Sequence, residues 1–142
     1  MSNQVKLNGL TFAINGHYLA HLKRIYRLFD GDLELCIVLG EIAHYNAGAL
    51  FADHSERSQS IEEVRAALKG CNAHSISLSS GIPRETVRRK IQKLKDLGWI
   101  DSNDKKQIIM TQKVSEDLGG FSKETLCLFR EFLDEIKVDV GW

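Results

Sequence analysis

Paired cysteines and an excess of charge of either sign are both missing from this sequence. Its three cysteines, Cys36, Cys71 and Cys127, are widely spaced and form no CxxC pair, whereas disulfide frameworks and zinc knuckles need closer, paired spacing. We therefore expect reduced intracellular thiols. The 19 basic residues balance 19 acidic ones, which excludes a histone-like polybasic binder but not a local basic surface.

Long apolar runs, a secretion signal and catalytic motifs are missing as well. The most apolar stretch, residues 33–51, is interrupted by Glu34, Glu41 and His44, so it is too polar to cross a bilayer. The chain opens without the basic start and apolar core of a signal peptide. We therefore expect a cytoplasmic protein without a membrane partner. Because no phosphate-binding loop, nucleophile elbow or paired set of metal ligands is found, we expect neither an enzyme nor a cofactor.

Hydrophobic spacing predicts a mainly α fold with a small β-hairpin. Apolar residues recur at helical spacing from His17 to Phe29, and Asp32 is suited to cap a second helix from Leu33 to Tyr45. This second helix is apolar around most of its circumference. We therefore expect a second subunit, rather than the chain's own domain, to cover it.

The rest of the chain predicts a loop, three helices, a hairpin and a final helix. The loop is expected at 52–60, and the helices are expected at Ile61–Leu68, Ala73–Ser80 and Arg84–Leu97. Short β-type runs at 99–100 and 107–111 flank polar turn residues and predict the hairpin. Gly119-Gly120 predicts a break in the chain, after which Ser122 is suited to cap the last helix.

The segment from Asn72 to Ile100 has the features of a helix-turn-helix, in which two helices meet at a tight turn. Asn72 is suited to cap the first helix, and Ser77 is small where a large side chain would hold the helices apart. Gly81 suits a turn position with positive φ, and Pro83 favours a helix start. The apolar positions of the second helix form a stripe that we expect to be buried, namely Val87, Ile91 and Leu94.

Outside this stripe the second helix is strongly basic, with Arg84, Glu85, Arg88 and Gln92 away from the stripe and Thr86 and Arg89 on its flanks. Six basic residues and one acidic residue lie between Arg84 and Lys95, a local balance of plus five on a neutral chain, which suits a line of phosphates. Because Arg forks onto guanine and Glu accepts from cytosine N4, we expect Arg84, Glu85 and Arg88 to contact base edges. The other predicted DNA contacts are mainly to the backbone and comprise Thr86, Arg89, Gln92, Lys93, Lys105 and Lys106.

This segment resembles the DNA-binding segment of bacterial winged-helix regulators. The resemblance is to the GntR type and rests on Gly81-Ile82-Pro83-Arg84-Glu85-Thr86-Val87-Arg88-Arg89-Lys90-Ile91, followed by Leu94 and Leu97-Gly98-Trp99-Ile100. It implies that the family's DNA-contacting arginines fall on Arg84 and Arg88. Its small polar helix-start residues fall on Glu85 and Thr86. Glu85 stands where the family usually has Ser or Thr, which leaves its base preference open.

The overall helix order resembles the MarR type of regulator, a dimer built from its terminal helices. That resemblance implies a winged helix-turn-helix flanked by dimerisation helices, with N-terminal dimerisation helices at 1–60, a DNA-binding module at 61–115 and a C-terminal dimerisation helix at 116–142. MarR-type wings carry arginine near the tip, whereas this one has Asn103-Asp104-Lys105-Lys106. We predict a homodimeric transcriptional regulator that binds specific sites in double-stranded DNA through the helix at 84–97.

Several other interpretations stay open. A winged helix that docks another protein without binding DNA is the alternative for the basic helix.

His17 and His21 have a spacing that holds zinc when His44 or His54 adds a ligand, but packing is the commoner use, so no metal site is predicted. Cys71 precedes a helix N-terminus, a position that can lower the pKa of a thiol, so a redox switch is kept as a minor alternative to an inert cysteine. Aromatic residues are candidates to line a small-molecule effector pocket: Tyr18, Tyr26, Phe29, Phe129 and Phe132.

Overall fold

The computed structural model describes residues 2–48, 50–51 and 59–140. Within these ranges the chain forms six helices and one two-stranded antiparallel sheet, which confirms the mainly α fold with a small hairpin. The elements are α1 (Ser2–Leu28), α2 (Leu33–Ala47), α3 (Ile61–Ala67), α4 (Ala73–Ser80), α5 (Arg84–Asp96), β1 (Ile100–Ser102), β2 (Ile108–Met110) and α6 (Gln112–Val140). Most of the loop predicted at 52–60 lies outside the described residues.

The chain groups into two compact units. The central unit comprises residues 32–117, and the terminal unit comprises residues 1–31 together with 118–142. The central unit therefore contains α2 as well as α3, α4, α5 and the hairpin, whereas the sequence grouped α2 with the first helix. The dimerisation roles assigned to 1–60 and 116–142 stay predictions.

The core of the central unit forms where α2 contacts α4, α5 and β2. Four residues of α2, spaced along one side, are buried there: Leu35, Val38, Leu39 and Ile42. The expectation that a second subunit covers this helix is wrong for this side, because elements from later in the chain cover it. Leu33, Ile37 and Tyr45 stay exposed on the same helix.

A buried asparagine fastens the end of α2 to the hairpin. The side chain of Asn46 is 1% exposed, and its Nδ2 donates to the carbonyl oxygens of Lys69 at 2.7 Å and Ile108 at 3.1 Å. Its Oδ1 accepts from the Met110 amide at 2.8 Å. Every polar atom of this side chain is thereby satisfied, as burial requires. The role of Asn46 is not recognisable from the sequence, because its partners lie 23 to 64 residues away.

A tight turn joins α5 to the hairpin. Gly98 adopts a φ of 76°, and its amide donates to the Lys95 carbonyl at 2.9 Å, while the Trp99 amide donates to Leu94 at 3.1 Å. Such paired bonds close the end of a helix and favour glycine. The chain continues directly into β1, and Ile100 pairs with Met110 of β2. The hairpin is thus held at a fixed place beside the end of α5.

The terminal helices are longer than the sequence pattern predicts. The first helix begins at Ser2 rather than near His17, and the last runs unbroken from Gln112 to Val140. The break predicted at Gly119-Gly120, with a new cap at Ser122, is therefore wrong. Glycine costs only about 1 kcal/mol relative to alanine inside a helix, which a long continuous helix tolerates.

Candidate nucleic-acid interface

The turn between α4 and α5 has the predicted local chemistry. The Oδ1 of Asn72 accepts from the Ser75 amide at 2.9 Å and caps α4, and Gly81 ends α4 with a φ of 75°. Both predictions are confirmed. Ser77 does more than avoid a clash, because its hydroxyl donates to the Ile82 carbonyl at 2.7 Å. The side chain of Ile82 is buried, so both a hydrogen bond and core packing fix the path of the turn.

The predicted orientation of α5 is confirmed. Val87, Ile91 and Leu94 are all buried in the central unit, and the opposite side is therefore directed at solvent. Thr86 is half-buried. The other predicted contact residues on this helix are exposed: Arg84, Glu85, Arg88, Arg89, Gln92 and Lys93.

The start of α5 carries no side-chain cap. Pro83 occupies the capping position, with extended backbone and no side-chain hydrogen bond to the helix. The amides of the first helical turn, which have no partner inside a helix, thus lack a side-chain partner among the described residues. Arg84 and Glu85 occupy this exposed turn. An N-terminus of this kind favours an anionic group.

Two of the predicted base-contacting residues form an ion pair with each other. The Nη2 of Arg88 donates to the Oε1 of Glu85 at 3.1 Å, one helical turn away. Both side chains remain largely exposed, 72% for Arg88 and 66% for Glu85. The hydrogen bond and the charge of Arg88 lower the pKa of Glu85, so its carboxylate stays ionised at neutral pH.

Two other cations of α5 are already paired. Lys90 Nζ lies 2.9 Å and Lys93 Nζ lies 3.0 Å from Oδ2 of Asp32. The other oxygen of Asp32 accepts from the Leu35 amide at 3.0 Å, which confirms the predicted cap of α2. Burial on its own would raise the pKa of Asp32, but the bonds from Lys90, Leu35 and Lys93 outweigh it and lower the pKa to about 2. Asp32 thus reduces the positive field of α5.

The remaining basic residues of α5 are more available to bind a partner than Lys90 and Lys93 are. Arg84, Arg89 and Lys95 are exposed and form no ion pair within the part of the chain that the structure describes. Gln92 donates from Nε2 to Oδ1 of Asp96 at 3.0 Å. Near the start of the helix, Arg84 and Arg89 are therefore the cations most available to bind an anionic partner.

The hairpin turn presents its two lysines to solvent on an ordered backbone. The Oδ1 of Asn103 accepts from the amides of Lys105 at 3.0 Å and Gln107 at 2.9 Å. Lys106 adopts a φ of 59°, in the left-handed region. Lys105 and Lys106 are both exposed, so the structure places two cations at the tip of the hairpin, as the sequence indicated.

Each unit contains a cavity that can be compared with the small-molecule effector pocket predicted from the aromatic residues. In the terminal unit, Tyr18 and Phe129 line a cavity of about 200 Å³ that Arg24 also borders. In the central unit a larger cavity of about 500 Å³ has a mainly apolar lining that includes Val64, Leu68 and Met110. The larger cavity lies where the aromatic pattern did not point. A small-molecule effector stays a prediction.

The histidine pair of α1 packs against aromatic rings. The ring of His17 stacks on Phe132 with centroids 4.3 Å apart, and His21 lies 6.0 Å from Phe121. Burial, then Arg24 and His17, lower the pKa of His21. Across the described ranges no group of three His, Cys, Asp or Glu side chains is placed to hold a metal ion. His54 lies outside those ranges.

The structure argues against the minor alternative of a redox switch at Cys71. Its side chain is 3% exposed, and its backbone exchanges hydrogen bonds with Ile108 of β2. Burial raises the pKa of the Cys71 thiol to about 11, which opposes the lowered pKa that its position before α4 suggested. A thiol of this kind is a packing residue rather than a redox switch.

Comparison of the chain with protein-family models, with curated proteins and with solved structures found no match. No helix among the described residues combines the length and the apolar character needed to cross a membrane. The case for a function therefore rests on the geometry and charge of the chain itself.

Proposed function

We propose that this protein is a transcriptional regulator that binds specific sites in double-stranded DNA. In this proposal α4, α5 and the β1–β2 hairpin form a winged helix-turn-helix, and α5 enters the major groove. The observation that carries the proposal is the exposed basic face of α5. It bears the exposed Arg84, Arg88 and Arg89, while the core buries Val87, Ile91 and Leu94 of the same helix.

The order and pairing of the elements support this module. The bridge at Cys71 joins β2 and adds a third short extended segment to the hairpin, while α2 packs behind α4 and α5. The sequence therefore runs helix, bridge, helix, turn, helix, hairpin, which is the order of a winged helix. Since α5 has 13 residues and rises about 1.5 Å per residue, its first two turns are enough to span several base edges.

Two kinds of contact are assigned to this surface. Arg84, Glu85 and Arg88 contact base edges, because they lie at the exposed start of α5 where a recognition helix meets the groove. Arg89, the uncapped amides of the first turn and the lysines of the hairpin tip contact phosphates.

The three free thiols of the chain are in keeping with a cytoplasmic setting.

A second copy of the chain completes the proposed regulator. On α1 four large apolar side chains are exposed at spacings of seven, three and four residues: Phe12, Leu19, Leu22 and Tyr26. This alternation is typical of the seam between two helices. A homodimer would place two recognition helices about 34–36 Å apart in successive major grooves, so the site should be roughly palindromic.

The test is selection of bound duplexes from a random pool, followed by titration of the selected site at two salt concentrations. We expect one palindromic site and a steep loss of affinity with salt, because phosphate contacts release counterions. Arg88→Ala should weaken binding by about 1–3 kcal/mol and relax one base position. Arg130→Ala, an exposed change on α6, is the matched control and should leave affinity unchanged.

The competing function is a winged helix that docks another protein. The pairing of Lys90 and Lys93 with Asp32 favours it, because a surface that meets phosphates gains from free lysines. This alternative expects no measurable duplex affinity at low salt. A protein partner would then protect the 84–95 face from chemical modification of its arginines.

A further inference from the structure

The acidic residue in the first turn of α5 is the least expected group on the proposed DNA-binding face. A carboxylate near phosphates is repelled, so a surface that only held the backbone would gain nothing from Glu85. The helix macrodipole favours an acid in the first turn, but it does not account for the hydrogen bond that Glu85 accepts from Arg88 at 3.1 Å. Glu85 and Arg88 are both largely exposed, so burial does not force them together.

The chemistry of base edges limits what an ionised carboxylate accepts in the major groove. Guanine and thymine present acceptors there, and these repel it. Adenine offers its N6 amino group beside the acceptor N7, whereas cytosine offers its N4 amino group without a neighbouring acceptor. A carboxylate at a base edge thus favours cytosine above the other three bases.

The ion pair also fixes the distance between the guanidinium of Arg88 and the carboxylate of Glu85. Arg88 uses one nitrogen for Glu85, and a guanidinium has five N–H donors, so a fork remains for guanine O6 and N7. The 3.1 Å between the guanidinium and the carboxylate is close to the rise of about 3.4 Å between successive bases. Two bases contacted by this ion pair therefore lie at adjacent base pairs.

The geometry points to Glu85 and Arg88 as one recognition unit that requires a cytosine at the base pair next to the guanine in each half-site. The inference rests on the proposed DNA binding and adds the base composition of the site. Glu85 determines specificity in two ways, since it accepts from cytosine and holds the guanidinium of Arg88 for guanine.

The experiment repeats the duplex selection with the unaltered protein, with Glu85→Gln and with Glu62→Gln. Glu62 is an exposed acid in the first turn of α3 and serves as the control. For the unaltered protein and for Glu62→Gln we expect a guanine with a cytosine at an adjacent base pair. For Glu85→Gln the ratio of cytosine to adenine at that position should fall at least about tenfold, because an amide pairs with adenine N6 and N7.

Two results separate the failure of this inference from the failure of the proposed function. If Glu85→Gln selects the same site with the same cytosine preference, or if the selected site has no such cytosine, the recognition unit is wrong while DNA binding stands. If no variant enriches any duplex at low salt, the DNA-binding proposal is wrong and this inference falls with it. The exposure of Glu85 makes a folding defect in the glutamine variant unexpected, and a circular dichroism spectrum checks this.

Discussion

The neighbours of each basic side chain on α5 decide what that side chain is able to contact. Arg89 is exposed and forms no ion pair with any described residue, whereas Lys93 is bonded to Asp32 at 3.0 Å. A lysine that is already bonded to a carboxylate has to exchange that bond for a phosphate, and the net gain is small. The sequence assigned Arg89 and Lys93 alike to the DNA backbone. We therefore expect Arg89 to contribute more to phosphate binding than Lys93 does.

Substitution of these two residues tests this difference. Arg89→Ala should weaken binding to all duplexes alike and reduce the slope of log affinity against log salt by about 1, as loss of one phosphate contact requires. Lys93→Ala should have a smaller effect on both the affinity and the slope. Anisotropy titrations at several salt concentrations, on the selected site and on a scrambled duplex, measure both quantities. Equal losses for the two variants would show that Asp32 does not hold Lys93 back from the phosphates.

Residue-scale features were predictable where their causes are local. The cap at Asn72 and the positive φ at Gly81 depend on the residue and its immediate neighbours, so composition and spacing indicate them. The bond from Lys90 to Asp32 spans 58 residues of chain, and no sequence pattern reports such a contact. The same holds for the buried Asn46. The exposure of most of the predicted contact residues on α5 was therefore predictable from the sequence, whereas the bonds of Lys90 and Lys93 to Asp32 were not.

At the scale of elements, Asp32 joins the start of α2 to the middle of α5. It caps one helix and bonds two lysines of the other, and its pKa is lowered from 3.8 to about 2. A carboxylate with a lowered pKa in the folded state stabilises that state above its unfolded pKa. The contribution is present above about pH 4 and is lost as the pH falls through 2.

Asp32→Asn tests the junction between α2 and α5. A shift of this size corresponds to roughly 2 kcal/mol of stability at neutral pH, so the variant should lose about that much free energy of unfolding at pH 7. The difference from the unaltered protein should shrink as the pH approaches 2. Urea unfolding at several pH values measures it, with the exposed Asp104→Asn as control. A difference that does not depend on pH would contradict the assignment.

The continuous course of α6 is also open to test. Its two adjacent glycines, Gly119 and Gly120, have open space where a Cβ would be added, so Gly120→Ala should raise the free energy of unfolding by about 1 kcal/mol. Gly81 also has open space but adopts a φ of 75°, so Gly81→Ala should destabilise instead. Denaturant unfolding of both variants checks the contrast. A loss of stability in Gly120→Ala would restore the break that the sequence suggested.

At the scale of the whole molecule, most of the exposed large apolar side chains among the described residues lie on the terminal helices α1 and α6. Phe12 of α1 is 80% exposed, and Leu19, Leu22 and Tyr26 follow on the same helix with more than half of their surface exposed. Large exposed apolar patches on a helix mark an association surface. Periodicity predicted this helix only from His17 onward, and it did not predict how little of the apolar stripe the chain covers, because that depends on which elements pack together.

Leu22→Glu should therefore separate the two copies without altering the recognition helix. Sedimentation velocity should show a dimer for the unaltered protein and a monomer for the variant, because a charge in an apolar seam is unpaired and desolvated. Lys23→Glu, an exposed change at the neighbouring position, should remain dimeric. The monomer should bind the full palindrome only about as tightly as a single half-site, since the second contact is no longer intramolecular. A variant that stays dimeric, or a monomer that keeps the full affinity for the palindrome, would remove α1 from the interface and with it the basis for two-fold symmetric recognition.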